Sequence, residues 1–144
     1  MKKRSAVLTI LAVAIVSVMI FCLTACIEIG MKKNNIINTL NDAGAPPSSL
    51  RTAPMINGES GLNFEDILYS TMTVSDDVDG EQTEVEACLY VFFAANEYTA
   101  EKAEELCKSY IQDNPDSAQK WSVYRRNRAI LCGHFKMVAI VRGY

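Results

Sequence analysis

The side chains best suited to metal chemistry are the carboxylates of one short acidic segment. Its four acids fall within six residues: Asp76, Asp77, Asp79 and Glu81. Calcium takes six to eight hard oxygen ligands, and this spacing could supply several of them. However, the flanking residues alternate like strands, and Asp79 followed by Gly80 is typical of a solvated hairpin turn. The sequence favours the turn, keeps a weak calcium site at these four acids as the alternative, and indicates no other metal and no cofactor.

Residues for acid–base or nucleophilic catalysis are few. His134 is the only histidine, and no acid follows Asp116 in the sequence to orient it. Gly133 and His134 together are typical of a turn. Glu84 and Glu86 share one face of a predicted strand, as a glycosidase pair would, but exposed strand ends often carry such pairs. We therefore expect a protein that is not an enzyme.

Three arginines surround a predicted turn near the C-terminus, at Arg125, Arg126 and Arg128. Guanidinium groups bind phosphates and carboxylates through paired N–H donors. Residues 120–144 contain six basic residues and no acid, whereas residues 59–116 contain 15 acids and two lysines. This asymmetry favours two stretches that face each other in the fold, and the alternative is a patch for an anionic partner. Nucleic acid is not expected as a partner of an acidic protein.

The N-terminus combines a basic start with an apolar run that ends in a cysteine. Basic residues at positions 2–4 precede an apolar run over 6–23, which is the organisation of a secretory signal. The run ends in the sequence Leu23, Thr24, Ala25 and Cys26. This sequence resembles the lipobox of bacterial prolipoproteins. The resemblance implies that the Cys26 thiol receives a diacylglycerol, that residues 1–25 are removed as a signal peptide, and that fatty chains such as palmitate hold Cys26 in the membrane.

The same apolar run supports a second interpretation. A bilayer core about 30 Å thick needs roughly 20 helical residues, and the run over 6–23 is nearly that long. An uncleaved signal anchor would keep residues 2–4 in the cytoplasm. Both interpretations place the remaining chain on the extracytoplasmic face of the cell membrane, and the lipobox favours the lipid anchor.

The chain after the predicted signal is long enough for one domain. Removal of three basic residues with the signal changes the net charge from −3 to −6. Besides Cys26, the cysteines that remain are Cys88, Cys107 and Cys132. Each lies in an apolar pattern and is expected to be a small buried hydrophobe, although one pair could form a disulfide.

Hydrophobic periodicity predicts a small α+β domain over 62–144, after a tether over 26–61 that has a short helix and a Pro-rich linker. The predicted strands cover 67–74, 83–95, 121–125 and 129–132, and a further strand-like run covers 135–141. One amphipathic helix, with Thr99 as its N-cap, ends at Asn114. The result is an antiparallel sheet of about four or five strands in the order β-β-α-β-β, with one helix packed on one face.

Taken together, these features predict a lipid-anchored envelope protein with a non-catalytic binding role. Besides the membrane, the expected partners are another envelope protein or an anionic surface polymer. A small-molecule or weak calcium-binding module, and a signal-anchored protein with the same outward-facing domain, are the alternatives. Residues 27–144 resemble no family, so the sequence predicts where the protein works more firmly than what it binds.

Overall fold

Five antiparallel strands form the sheet in the computed structural model, which describes residues 31–143. The elements in chain order are α1 (Lys33–Asp42), β1 (Ser48–Ser49), a 3₁₀ turn (Pro54–Ile56), β2 (Phe64–Val78), β3 (Glu81–Ala94), α2 (Glu97–Asp113), β4 (Trp121–Arg126), β5 (Ala129–His134) and α3 (Phe135–Arg142). The strand order across the sheet is β1-β2-β3-β5-β4. The predicted α+β class with an antiparallel sheet is confirmed. The predicted signal peptide and lipobox lie outside the described residues.

Strands β2 and β3 form one long hairpin that closes at Asp79 and Gly80. The φ angles of these two residues are 56° and 86°, and Val78 pairs with Glu81 on either side of them. A two-residue turn with positive φ at both positions follows the right-handed twist of the strands, and Asp-Gly adopts it at low cost. The hairpin turn predicted at this acidic segment is therefore confirmed.

One face of the sheet is covered by α2 and the 3₁₀ turn. Side chains of alternating strand residues such as Phe92 and Ile130 pack there against the apolar stripe of α2. The predicted N-cap at Thr99 is wrong by three residues: Asn96 is the N-cap, and its side chain accepts a hydrogen bond from the Thr99 backbone N–H at 2.8 Å. Thr99 itself is buried, and its Oγ1 accepts from the Asn63 backbone N–H at 3.2 Å.

The opposite face is covered by α1 and α3, which pack on Leu89, Leu131 and their neighbours. The prediction of a strand over 135–141 is wrong, because these residues form α3. Their buried side chains follow helical spacing, at Met137, Val138 and Val141. The prediction of a turn at Gly133 is also wrong, since β5 continues through His134 directly into this helix.

Residues 33–56, which the sequence places in the tether, pack on the sheet. Ile36 and Leu40 of α1 are buried in the core beneath β2 and β3, and so is Ala45 in the Pro-rich linker. The Ser70 hydroxyl donates a 2.6 Å hydrogen bond to the Ala45 carbonyl, which fixes this linker on the sheet. Within residues 31–143 no helix combines the length and apolar character that crossing a bilayer requires.

Candidate functional site

A cluster of four charged or titratable side chains, of which Asp76 and His134 are buried and Lys120 and Lys136 are partly exposed, joins three parts of the fold. The Asp76 carboxylate on β2 is the centre: its Oδ2 lies 3.0 Å from His134 Nε2 and 3.1 Å from Lys120 Nζ, and its Oδ1 lies 3.8 Å from Lys136 Nζ. Asp76 and His134 are only 5% and 6% exposed. We call these four residues the hairpin clasp, because they fasten the outer part of the β2–β3 hairpin to β5 and α3.

The hairpin clasp requires the hairpin to cross over the end of β5. Pairing between β3 and β5 stops at Leu89 and Gly133, while the hairpin continues to Gly80. At the crossing, a Cβ atom built on Gly133 would lie 2.8 Å from Leu89 Cα and closer still to the Cys88 carbonyl oxygen. Real Cβ atoms do not approach backbone this closely. The absence of a side chain at Gly133 is therefore what lets the hairpin pass and carry Asp76 to His134.

Hydrogen bonding indicates which ring nitrogen of His134 faces each partner in the hairpin clasp. The Lys136 backbone N–H points at His134 Nδ1 at 3.3 Å, so Nδ1 accepts and Nε2 carries the hydrogen that is donated to Asp76. Burial raises the pKa of Asp76, but hydrogen bonds from Lys120 and His134, the Asp77 backbone N–H and the Lys120 charge outweigh it, and the pKa falls to about 2. Asp76 is therefore ionised at neutral pH.

Each basic side chain of the hairpin clasp has a hydrogen-bond partner within the fold. Lys120 also donates to the Asp77 carbonyl and Lys136 to the Ser75 carbonyl. Among residues 31–143, no buried side-chain nitrogen or oxygen lacks a hydrogen-bond partner. Since both ring nitrogens of His134 are occupied, the hairpin clasp in this state presents no free acid, base or nucleophile. The hairpin clasp is therefore a structural network of ion pairs and hydrogen bonds that holds the hairpin on β5 and α3.

The four acids proposed as a weak calcium site do not converge. The Asp76 carboxylate is turned into the hairpin clasp, whereas Asp77 Oδ1 accepts a 2.9 Å hydrogen bond from the Gly80 backbone N–H. Asp79 in the turn and Glu81 directly after it are exposed. Within the described residues, no three acid, histidine or cysteine side chains are grouped so that they could hold a metal ion. A calcium ion would have to draw Asp76 away from Lys120 and His134.

We predict that millimolar calcium leaves the melting temperature of the protein unchanged. A ligand that binds only the folded state raises the melting temperature in proportion to the logarithm of its concentration above Kd. Thermal denaturation with calcium, and with magnesium as the control ion, measures this directly. A rise with calcium alone, removed by Asp77→Asn and Asp79→Asn together, would restore the calcium hypothesis.

The three arginines proposed as a patch have different surroundings. Arg125 forms ion pairs with Glu97 and with Glu104 of α2, the latter at 3.4 Å. The prediction that the basic and acidic stretches face each other is confirmed at Arg125, and this arginine is not available to a partner. Arg126 is exposed, and Arg128 is exposed with its Nη1 donating to the Ala95 carbonyl at 2.8 Å.

Arg126 and Arg128 belong to a larger basic surface at one end of the sheet. A groove of about 350 Å³ runs between the β4–β5 turn and the start of α1, and Lys33, Arg126, Arg128 and Glu65 line it together with Met31. A neighbouring groove of about 160 Å³ adds two further basic side chains from α1's start and α3's end, Lys32 and Arg142. We call the five basic residues the basic end: Lys32, Lys33, Arg126, Arg128 and Arg142.

The three cysteines among the described residues are free thiols: Cys88, Cys107 and Cys132. Cys107 of α2 and Cys132 of β5 are buried next to each other, and Cys88 is half-buried. Hydrogen bonding to Cys132 together with burial raises the pKa of Cys107, and burial raises the pKa of Cys88 to about 11. Thiols with raised pKa values are poor nucleophiles. The predicted role of these residues as small buried hydrophobes agrees with their surroundings.

Comparison of the chain with models of protein families, with characterised proteins and with solved structures gives no significant match in any of the three. Its function is therefore inferred from its own residues.

Proposed function

We propose that this protein is a lipid-anchored module on the extracytoplasmic face of the cell membrane. The observation that carries the proposal is the lipobox-like sequence that ends in Cys26, placed where the apolar run over 6–23 stops. The folded domain begins at Lys33, only seven residues later. A short connection of this kind suits a domain that works close to the membrane surface.

The role that we propose for the domain is binding rather than catalysis. In support, the buried histidine and carboxylate of the hairpin clasp are satisfied by each other and by lysines. The exposed charges of the domain are instead separated: the basic end lies on one side, and acids lie around Gly80 on the other. Charge separated in this way steers association with charged partners, such as an envelope protein or an anionic surface polymer.

Substitution Cys26→Ser tests the anchor. Lipid attachment needs the thiol of this residue, so we expect complete loss of radiolabelled palmitate incorporation into the protein. The unprocessed precursor should accumulate at a higher apparent mass. Globomycin, which blocks removal of prolipoprotein signals, should cause accumulation of a lipid-labelled precursor of the unsubstituted chain.

Cys22→Ser is the matched control, because Cys22 lies in the same apolar run four residues before Cys26. This variant should be labelled and processed like the original chain. Equal labelling of the Cys26→Ser variant, or no labelling of the original chain, would contradict the lipid anchor and favour the uncleaved signal anchor.

A further inference from the structure

The described chain begins at the basic end of the fold. Met31 lines the same groove as Lys33, Arg126 and Arg128. Strand β4 runs toward this end from Trp121, which pairs with His134 at the opposite end of the strand. The polypeptide that leads back to the predicted anchor therefore joins the domain beside the β4–β5 turn, on the side away from the hairpin clasp.

Few residues separate this end of the domain from the predicted anchor. Five peptide units connect Cys26 to Met31, and a fully extended chain spans at most about 3.6 Å per residue. A Cys26 held at the membrane surface therefore keeps Met31 within about 18 Å of that surface. The residues of the basic end line the two grooves that contain Met31, so they are held near the membrane surface together with it.

The basic end carries charges that the domain itself does not neutralise. Within residues 31–143, four of its five basic residues form no ion pair: Lys32, Arg126, Arg128 and Arg142. Of the nearby acids, Asp66 is paired with Lys33 and Glu65 lines the groove. Two glutamates of α2 lie beside Arg128, but both are paired with Arg125: Glu97 and Glu104. The domain thus presents a net positive surface at the end where the anchor joins.

The opposite end is acidic. The outer part of the β2–β3 hairpin carries exposed acids on both strands and at the turn: Asp77, Asp79, Glu81, Glu84 and Glu86. The two lysines closest to this region, Lys120 and Lys136, are held by Asp76 in the hairpin clasp. The domain therefore has a positive end toward the predicted anchor and a negative end away from it.

We propose that the basic end is a membrane-docking surface that binds the anionic phospholipid headgroups around the anchor, and so holds the domain upright with the hairpin pointing away from the membrane. The proposal rests on the lipid anchor proposed above. Basic side chains within a Debye length of an anionic leaflet are attracted to it, whereas the acidic hairpin is repelled. Both forces turn the domain in the same direction.

The single tryptophan of the chain allows a direct test. Trp121 lies at the end of β4 opposite to Arg126, so it is far from the membrane when the basic end is docked.

The full lipidated chain is reconstituted into vesicles that contain a dansyl-headgroup lipid. The vesicles consist of phosphatidylcholine alone or of phosphatidylcholine with about one third phosphatidylglycerol. We expect loss of energy transfer from Trp121 to dansyl on the anionic vesicles relative to the neutral ones. Raising the salt from about 0.1 M to about 1 M shortens the Debye length from about 10 Å to about 3 Å and should restore the transfer.

The double variant Lys32→Gln, Arg126→Gln should show equal transfer on both kinds of vesicle, since these exposed side chains supply docking charge without packing in the core. The matched control is Lys102→Gln, Lys108→Gln, which removes the same charge from α2, where each lysine is paired with a glutamate of its own helix. This control should behave like the original chain. Circular dichroism checks that both variants are folded.

The outcomes separate the docking surface from the anchor. Equal transfer on neutral and anionic vesicles, with the protein still bound to both in 1 M salt, overturns the docking surface and leaves the anchor intact. Release from both vesicles in 1 M salt contradicts the anchor and removes the basis of the docking surface. If soluble polyglycerol phosphate binds the basic end while lipid charge has no effect, the surface serves an anionic polymer and the proposal is overturned.

Discussion

Replacement of Gly133 by alanine is expected to lower the free energy of unfolding by about 3 kcal/mol, the upper part of the usual range for a group forced into a packed interior. The new Cβ would lie 2.8 Å from Leu89 Cα and against the Cys88 carbonyl oxygen. Both are backbone atoms of β3 where the hairpin crosses β5, so no side-chain rotation relieves the contact. The hairpin would have to lift, and lifting it also separates Asp76 from His134.

Urea denaturation followed by circular dichroism measures this loss. Gly61→Ala is the control, because Gly61 has φ of +81° and open space around it. This substitution should lower the free energy of unfolding by only about 1 kcal/mol, which is the strain of an alanine with left-handed backbone angles. Adding Cys88→Ala to Gly133→Ala should give no recovery, since the obstacle is a carbonyl. A Gly133→Ala variant as stable as the original chain would mean that the hairpin does not cross β5 this closely.

The hairpin and α2 were predictable from sequence because their signals are local. Alternation of β-branched and aromatic residues marks β2 and β3, and the Asp79-Gly80 pair marks the turn between them. The stripe of Ala103, Cys107 and their neighbours marks the buried face of α2. Each signal lies within a window of about ten residues, so no knowledge of distant contacts is required.

The sequence predicted a strand where helix α3 lies, and this error has a physical reason. A short apolar run has no clear period when nearly all its positions are apolar, so a buried strand and a buried helix look alike. The available sign is the end of β5: His134 acts as the N-cap, and its side chain accepts from the Lys136 backbone N–H. Histidine is not among the preferred N-caps, so the helix start is not visible in the sequence.

The hairpin clasp could not be predicted from the sequence for a different reason. Asp76 and His134 are 58 residues apart, and the hairpin must curl over β5 before they meet. One local clue exists. Val74 and Asp76 lie two residues apart on the same face of β2, and Val74 is buried. An acid on the inward face of a strand needs a partner, and the only histidine and the basic C-terminal stretch were the candidates.

Asp76→Asn is expected to destabilise the protein at neutral pH and to flatten its pH dependence in acid. The pKa of Asp76 is about 2 in the folded state, below the ordinary 3.8 of an aspartate. A lowered pKa means that the contribution of the carboxylate is present in full above pH 3.8 and is lost as the pH falls through about 2. The groups that face it are Lys120 before β4, His134 on β5 and Lys136 on α3. With asparagine, the buried His134 and the two partly exposed lysines lack a counter-charge at every pH.

Urea midpoints measured at intervals from pH 7 to pH 2 follow this directly. The difference in stability between the original chain and Asp76→Asn should be constant at neutral pH and should shrink steadily from about pH 4 to pH 2. The pKa of Asp66 is also low, because Lys33 and the Ile67 backbone N–H outweigh its burial, but Asp66 is present in both proteins and cancels in the difference. Asp79→Asn makes the same chemical change on the exposed turn, where asparagine also tolerates positive φ, and should leave the profile unchanged.

A difference in stability that stays constant down to pH 2 would mean that the charge of Asp76 contributes nothing to the stability of the protein. The hairpin would then be held by packing of Val74 and Leu89 alone, and the lysines would be incidental neighbours.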